Sequence, residues 1–218
     1  MSSAINPAPD RVVAAASGKA GAMPDDGMST RERILRACWT LLEKGQGAKT
    51  RMSDIARASG VSRQAVYLHF STRAELLIAV TRFVDAESDI DARLAASRAA
   101  MSGPERLDAF IDAWGNYIPV VHPVCRALLD MAPADEAAKL AWDDRMSALR
   151  EGCMAAVTAL KTDGILRDGL DEAAATDLLW TLLSVRNWES LVEDCHWTQA
   201  RYVEAMKRLA RQALMRTG

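Results

Sequence analysis

The sequence predicts an all-α protein, with a small helical head followed by a larger helical body. Three observations predict it. Apolar residues recur at steps of three and four, as in Trp142, Met146, Leu149, Cys153, Ala156 and Leu160, the period of one helix face. No stretch alternates convincingly with the two-residue period of a strand. Glycine and proline fall between the helical stretches rather than within a strand pattern, and Ser or Thr precedes several of them as a capping residue.

Charge divides the chain further. The whole carries 27 Lys+Arg and 29 Asp+Glu, a formal net charge of −2. Residues 29–84 hold ten basic and four acidic groups, net +6, whereas residues 85–218 are net −7. A basic module joined to an acidic one points to a polyanionic partner for the first part alone. Residues 1–28 are rich in Ser, Ala, Gly, Pro and Asp without periodicity, the composition of a disordered tail. The expected organisation is therefore a tail at 1–28, a head at 29–84 and a body at 85–218.

Each helix has its own reason. The first opens at Ser29, where Ser29-x-x-Glu32 forms a capping box, and buries Ile34, Cys38, Leu41 and Leu42 before Gly45 and Gly47 stop it. A second is expected over Met52–Ser59 with Thr50 as its N-cap. Gly60 permits a tight turn, and Ser62 caps a third carrying Arg63, Gln64, Val66, Tyr67 and Leu68. A fourth starts at Ser71 or Thr72 and is expected to run past Val84 to about Ala100, where Gly103-Pro104 breaks the chain.

In the body, a helix is expected from Pro104 to Tyr117, kinked or ended by Pro119 and Pro123, with a short one to Met131. Helices follow over about Ala134–Thr162, Glu172–Asp194 and Gln199–Arg216.

Residues 50–73 carry the chemistry. A short helix braces a second one across a glycine-containing turn, the plan of a helix-turn-helix. Ile55, Ala56, Val61 and Val66 supply the apolar contacts between the two. Arg63 and Gln64 stand at the start of the second helix, where Arg suits guanine O6/N7 and Gln suits adenine N6/N7. Thr50, Ser62, Tyr67 and Arg73, at helix starts or on the exposed face, are expected to donate to phosphates.

The run Ile55-Ala56-x-x-Ser59-Gly60-Val61-Ser62-x-x-x-Val66-Tyr67-x-His69-Phe70-x-x-Arg73-x-x-Leu76 resembles the N-terminal signature of the TetR family of bacterial transcriptional regulators. The resemblance covers about Thr30 to Val84. It implies backbone contacts from Thr50, Ser62, Tyr67 and Arg73, base contacts from Arg63 and Gln64, and a place near the phosphates for His69. The family usually has Lys where this chain has Arg73, which keeps the charge. It also implies a variable helical body that binds an effector and dimerises through its last two helices.

The residues of the body agree with that plan. Around Glu172–Asp194, Leu178, Thr181, Leu182 and Val185 form one side while Leu179, Trp180 and Leu183 spread to others. A helix apolar nearly all round is covered on two sides, and a second subunit is an economical cover. Phe110, Trp114, Tyr117, His122, Trp142, Met146, Trp180 and Trp188 are candidate pocket residues, with Asn187 and His122 as polar groups. An apolar or aromatic effector suits such a lining.

Other chemistries find little support. The histidines are His69, His122 and His196, and neither Gly-x-Ser-x-Gly, a phosphate-cradling glycine loop nor His-Glu-x-x-His occurs. Cys38, Cys125, Cys153 and Cys195 lie far apart, without the spacing of a disulfide framework or a local zinc site. Neither catalysis, a metal nor a cofactor is expected. No apolar run reaches the roughly 18 residues of a membrane span, and a cytoplasmic location follows as an expectation. The leading expectation is a homodimeric repressor that binds a palindromic operator in double-stranded DNA and is released by a small effector. The alternative is a helical enzyme or sensor whose basic module binds protein.

Overall fold

The computed structural model describes residues 27–216. The disordered-tail expectation for 1–28 therefore lies almost wholly outside the described residues. Ten α-helices follow one another: α1 (Thr30–Glu43), α2 (Met52–Ser59), α3 (Arg63–His69), α4 (Arg73–Glu87), α5 (Ile90–Ala99), α6 (Gly103–Met131), α7 (Glu136–Thr162), α8 (Glu172–Leu182), α9 (Val185–Trp188) and α10 (Gln199–Leu214). A 3₁₀ turn (Gly47–Lys49) precedes α2, and a π-helical turn (Glu189–Asp194) follows α9. The only extended pairing among the described residues is an isolated bridge between Leu166 and Met215.

Side chains start most of these helices, because the first turn of a helix leaves N–H groups unpaired. Ser29 and Glu32 form the expected capping box, with the Glu32 N–H on Ser29 Oγ at 3.2 Å and the Ser29 N–H on Glu32 Oε2 at 2.8 Å. Ser62, Thr72, Ser102, Asp171 and Thr198 cap α3, α4, α6, α8 and α10 in the same way. Gly60 sits at φ 67°, left-handed backbone that closes the turn between α2 and α3.

Four expectations need correction. The N-cap of α2 is Arg51, not Thr50, and its side chain makes no capping bond. The fourth helix does not run to Ala100. It ends at Glu87, where Asp89 adopts left-handed backbone at φ 54° before α5 begins; aspartate is among the few residues that tolerate this conformation. The helix expected over Glu172–Asp194 is three pieces, because Ser184 turns to extended backbone and caps α9 with its own side chain. The free carbonyls at the end of α8 are taken by side chains: Asn187 Nδ2 donates to Thr181 O at 2.7 Å, and Trp114 Nε1 to Leu183 O at 2.8 Å.

Conversely, α6 passes through both prolines without ending. Pro119 lacks the N–H that would bond Gly115 O, and Gln199 Nε2 supplies the missing donor at 2.7 Å. Close packing secures the same helix. A Cβ on Gly103 would lie 2.8 Å from Leu160 backbone on α7, and one on Gly115 would lie 2.9 Å from a Val203 methyl on α10.

Two apolar clusters hold the helices together. One gathers Ile34, Leu35, Ile55, Val66, Phe70 and Leu76 of the head with Tyr117, Val121, Val124 and Leu128 of α6. The other joins Leu107, Ile111, Leu149, Val157, Leu179, Tyr202 and Met206. The first cluster spans both sides of residues 84–85, with α4 packed on α7 and its Asp85 accepting from Tyr117 of α6.

Candidate nucleic-acid interface and ligand cavity

In α3, Val66 is wholly buried and the Phe70 that follows the helix nearly so; together they press one side of the helix onto the head. The opposite side is bare. Ser62, Arg63, Gln64, Tyr67, Leu68 and His69 are all exposed. Arg63 lies over the Tyr67 ring, 5.5 Å from guanidinium carbon to ring centroid, with Nη2 3.5 Å from the phenol oxygen. That contact orders a flexible arginine on the solvent face at the first turn of the helix. Leu68, with 80% of its surface exposed, shares a face with Gln64 one turn earlier. Sequence reasoning passed over it; an apolar residue on the outer side of an otherwise polar recognition helix is the signal, since such a side chain can meet a thymine methyl.

Thr50 and Arg73 stand apart from this surface. Thr50 is fully buried, and its hydroxyl donates to Gly47 O at 2.6 Å. Arg73 donates from Nε to Thr50 O at 2.9 Å and from Nη2 to Thr50 Oγ1 at 2.7 Å. Its Nη1 pairs with Asp135, the N-cap of α7. Arg73 stands at the start of α4 and Thr50 just before α2, and their polar atoms are engaged inside the protein, where they fasten α4 and the 3₁₀ turn to the body.

A cavity of about 130 Å³ lies among α4, α5, α6 and α7. Val84, Ile90, Leu94, Trp114, Val121 and Leu149 give it apolar walls, and Tyr117, Cys125 and Met146 also face it. Asp85 and Arg145 pair at its edge, joining α4 to α7, and the Tyr117 hydroxyl donates to Asp85 Oδ1 at 2.8 Å. Burial, then the Asp85 charge, raises the Tyr117 phenol far above its usual value, and burial pushes the Cys125 thiol up to about 12. Both stay neutral near pH 7.

Of the pocket residues expected from sequence, Trp114, Tyr117 and Met146 line this cavity. The others are occupied elsewhere. Phe110 packs over Gly152, where a Cβ would lie 2.5 Å from its ring. Trp142 lies in the core shared with the head. Trp180 Nε1 donates to Met146 O at 3.1 Å, and Trp188 Nε1 to Gln199 Oε1 at 2.9 Å. Asn187 caps the end of α8. His122 Nε2 lies 2.9 Å from Glu189 Oε1 and Nδ1 3.7 Å from Glu193 Oε1, while Arg126 also holds Glu189. These groups form a polar cluster tying α6 to the π-helical turn. Asp85 and Arg145, the charged pair at the cavity, were missed because charged residues on amphipathic helices look like solvent-facing ones in sequence.

A helical head that presents one short polar helix across a glycine turn, mounted on a helical body with an apolar cavity, has the plan of a helix-turn-helix domain joined to a helical body. The sequence model described as "Bacterial regulatory proteins, tetR family" matches residues 34–80. The HTH-type transcriptional regulator TtgR of Pseudomonas putida is 38% identical over 56 residues, covering 26% of this chain and 27% of that protein. The sequence likeness to the tetR family lies in the head. The aligned stretch spans only about a quarter of that curated relative's length.

Solved structures extend the likeness in fold across the body. A TetR-family transcriptional regulator from Rhodococcus sp. superimposes with a TM-score of 0.68 at 19% identity, over 85% of this chain and 98% of that one. The SmeT–triclosan complex gives 0.67 at 19% identity, over 88% and 94%. The transcriptional regulator FadR from Bacillus subtilis in complex with stearoyl-CoA gives 0.66 at 16% identity, over 84% and 98%. No helix among the described residues is long and apolar enough to cross a membrane.

Proposed function

We propose that this protein is a ligand-responsive transcriptional repressor that binds a palindromic operator as a homodimer, in the cytoplasm, without catalytic activity. The observation that carries the reading is the bare face of α3. Arg63 and Gln64 are the groups for bases, Ser62, Tyr67 and His69 those for phosphates, and Thr50 with Arg73 sets the pose of the head from behind. Two copies related by a twofold axis read successive major grooves, as one short recognition helix alone cannot. Leu178 on α8 and Leu209 on α10 are 50% and 42% exposed and border one apolar groove with Leu182 and Ala213; a second copy of the same pair of helices is the cover proposed for it.

The cavity beside α4 is the proposed effector site. Relatives of the same fold are described in complex with triclosan and with stearoyl-CoA, which supports a mainly apolar effector. An effector preferring a conformer with α4 displaced shifts the distance between the two heads, by no more than its affinity difference between the states. The tetR-family match in the head favours DNA over the protein-binding alternative. Arg63→Ala tests the reading: it costs about 1–3 kcal/mol of operator binding and relaxes base preference. Unchanged affinity and selectivity would remove Arg63 from the interface.

A further inference from the structure

Resting on that reading of the cavity, we propose that its effector is an uncharged, single-ring molecule bearing one carbonyl-type acceptor, and that Arg145 Nε takes that acceptor. Size gives the ring. The cavity measures about 130 Å³, and an apolar cavity of about 150 Å³ accepts one benzene. Walls from Val84, Leu94, Trp114 and Val121 suit such a body.

Charge gives the rest. Asp85 and Arg145 neutralise each other at the cavity, and Arg145 also faces Asp144, which pairs with Arg82 at 2.8 Å. Two acids meet two bases. A carboxylate or an amine entering this apolar space would leave a charge without a partner, which is costly. Hydrogen-bonding capacity is also nearly used up. Asp85 accepts from Tyr117 on one oxygen and from Arg145 on the other, and Thr81 donates to Ile78 O. Arg145 Nε is buried without an acceptor, an orphan donor that a ligand acceptor would satisfy.

Calorimetric titration of the full chain with acetophenone, ethylbenzene, benzoate and 1-phenylethylamine tests this. Acetophenone should bind about tenfold more tightly than ethylbenzene, the worth of one net hydrogen bond, and both charged compounds more weakly than either. In Arg145→Lys, which keeps a cation for Asp85 but has no Nε donor, the preference for acetophenone over ethylbenzene should shrink below about threefold. Equal binding of acetophenone and ethylbenzene, or tightest binding of a charged compound, would overturn the proposed class while leaving the cavity as a binding site. If none of the four binds, the cavity reading itself fails, and this proposal with it.

Discussion

Arg73 and Thr50 are joined twice, by Nε on the Thr50 carbonyl at 2.9 Å and by Nη2 on its hydroxyl at 2.7 Å. The same guanidinium pairs with Asp135, so one side chain ties the start of α4, the approach to α2 and the start of α7. Arg73→Ala leaves a buried hydroxyl and a carboxylate with fewer partners and should lower stability by about 1–3 kcal/mol. Arg73→Lys should recover only part, since an ammonium cannot reproduce the planar fork. Urea unfolding of the three proteins measures both. A neutral Arg73→Ala would mean that the junction contributes nothing.

Gln199 is expected to matter for a helix it does not belong to. Its amide fills the carbonyl that Pro119 leaves without a donor in α6, and its oxygen accepts from Trp188 Nε1. Gln199→Ala exposes both vacancies and should cost about 1–3 kcal/mol. When Gln199→Ala is combined with Pro119→Ala, the backbone N–H restored at position 119 can reach Gly115 O, and part of the loss should return. The double-mutant cycle reads that coupling directly.

Thiol chemistry should separate the four cysteines. Cys38, Cys125 and Cys153 are buried, and burial pushes each thiol up to about 12, whereas Cys195 is exposed. The thiolate is the reactive form. One thiol per native chain should react quickly with an aromatic disulfide reagent and four after denaturation. Cys195→Ser should abolish the fast phase.

Acid should weaken the junction between head and body. Burial raises the Asp135 carboxyl, but the hydrogen bond and charge of Arg73, with the Ala137 and Ala138 N–H groups, outweigh it and hold it below the usual value. Asp144 is lowered likewise, its burial outweighed by Arg82 and Arg145. A carboxyl depressed by folding adds stability that is complete above its unfolded value near 3.9 and disappears as pH falls through the folded one. The urea midpoint should therefore hold steady down to about pH 5 and drop below about pH 4. Asp135→Asn should drop less steeply over that acid range.

The head was legible in sequence because its determinants are local. Ser29 with Glu32, Gly60, and Ser62 with the N–H of Ala65 act within four residues, and the spacing of Val66 and Phe70 says which side is buried. What was missed depends on partners distant along the chain. Asp135 meets Arg73 across 62 positions and Gln199 meets Gly115 across 84. No local rule shows that Pro119 will be tolerated or that Thr50 will be turned inward. The helix breaks at Asp89 and Ser184 carry no Gly or Pro to mark them in the sequence. At the cavity, periodicity marked Trp114, Tyr117 and Met146 as inward but could not tell a wall from a filled core, and it hid the Asp85–Arg145 pair among ordinary helix charges.

Selection of bound sequences from a random duplex library by the full chain, at modest salt, tests the central claim most directly. The proposed symmetric dimer, with one exposed α3 on each copy, predicts enrichment of a palindrome with half-sites about one helical turn apart or a multiple of it, lost in Arg63→Ala carrying Gln64→Ala. Failure to enrich any palindrome, or identical enrichment by that double variant, would contradict the account.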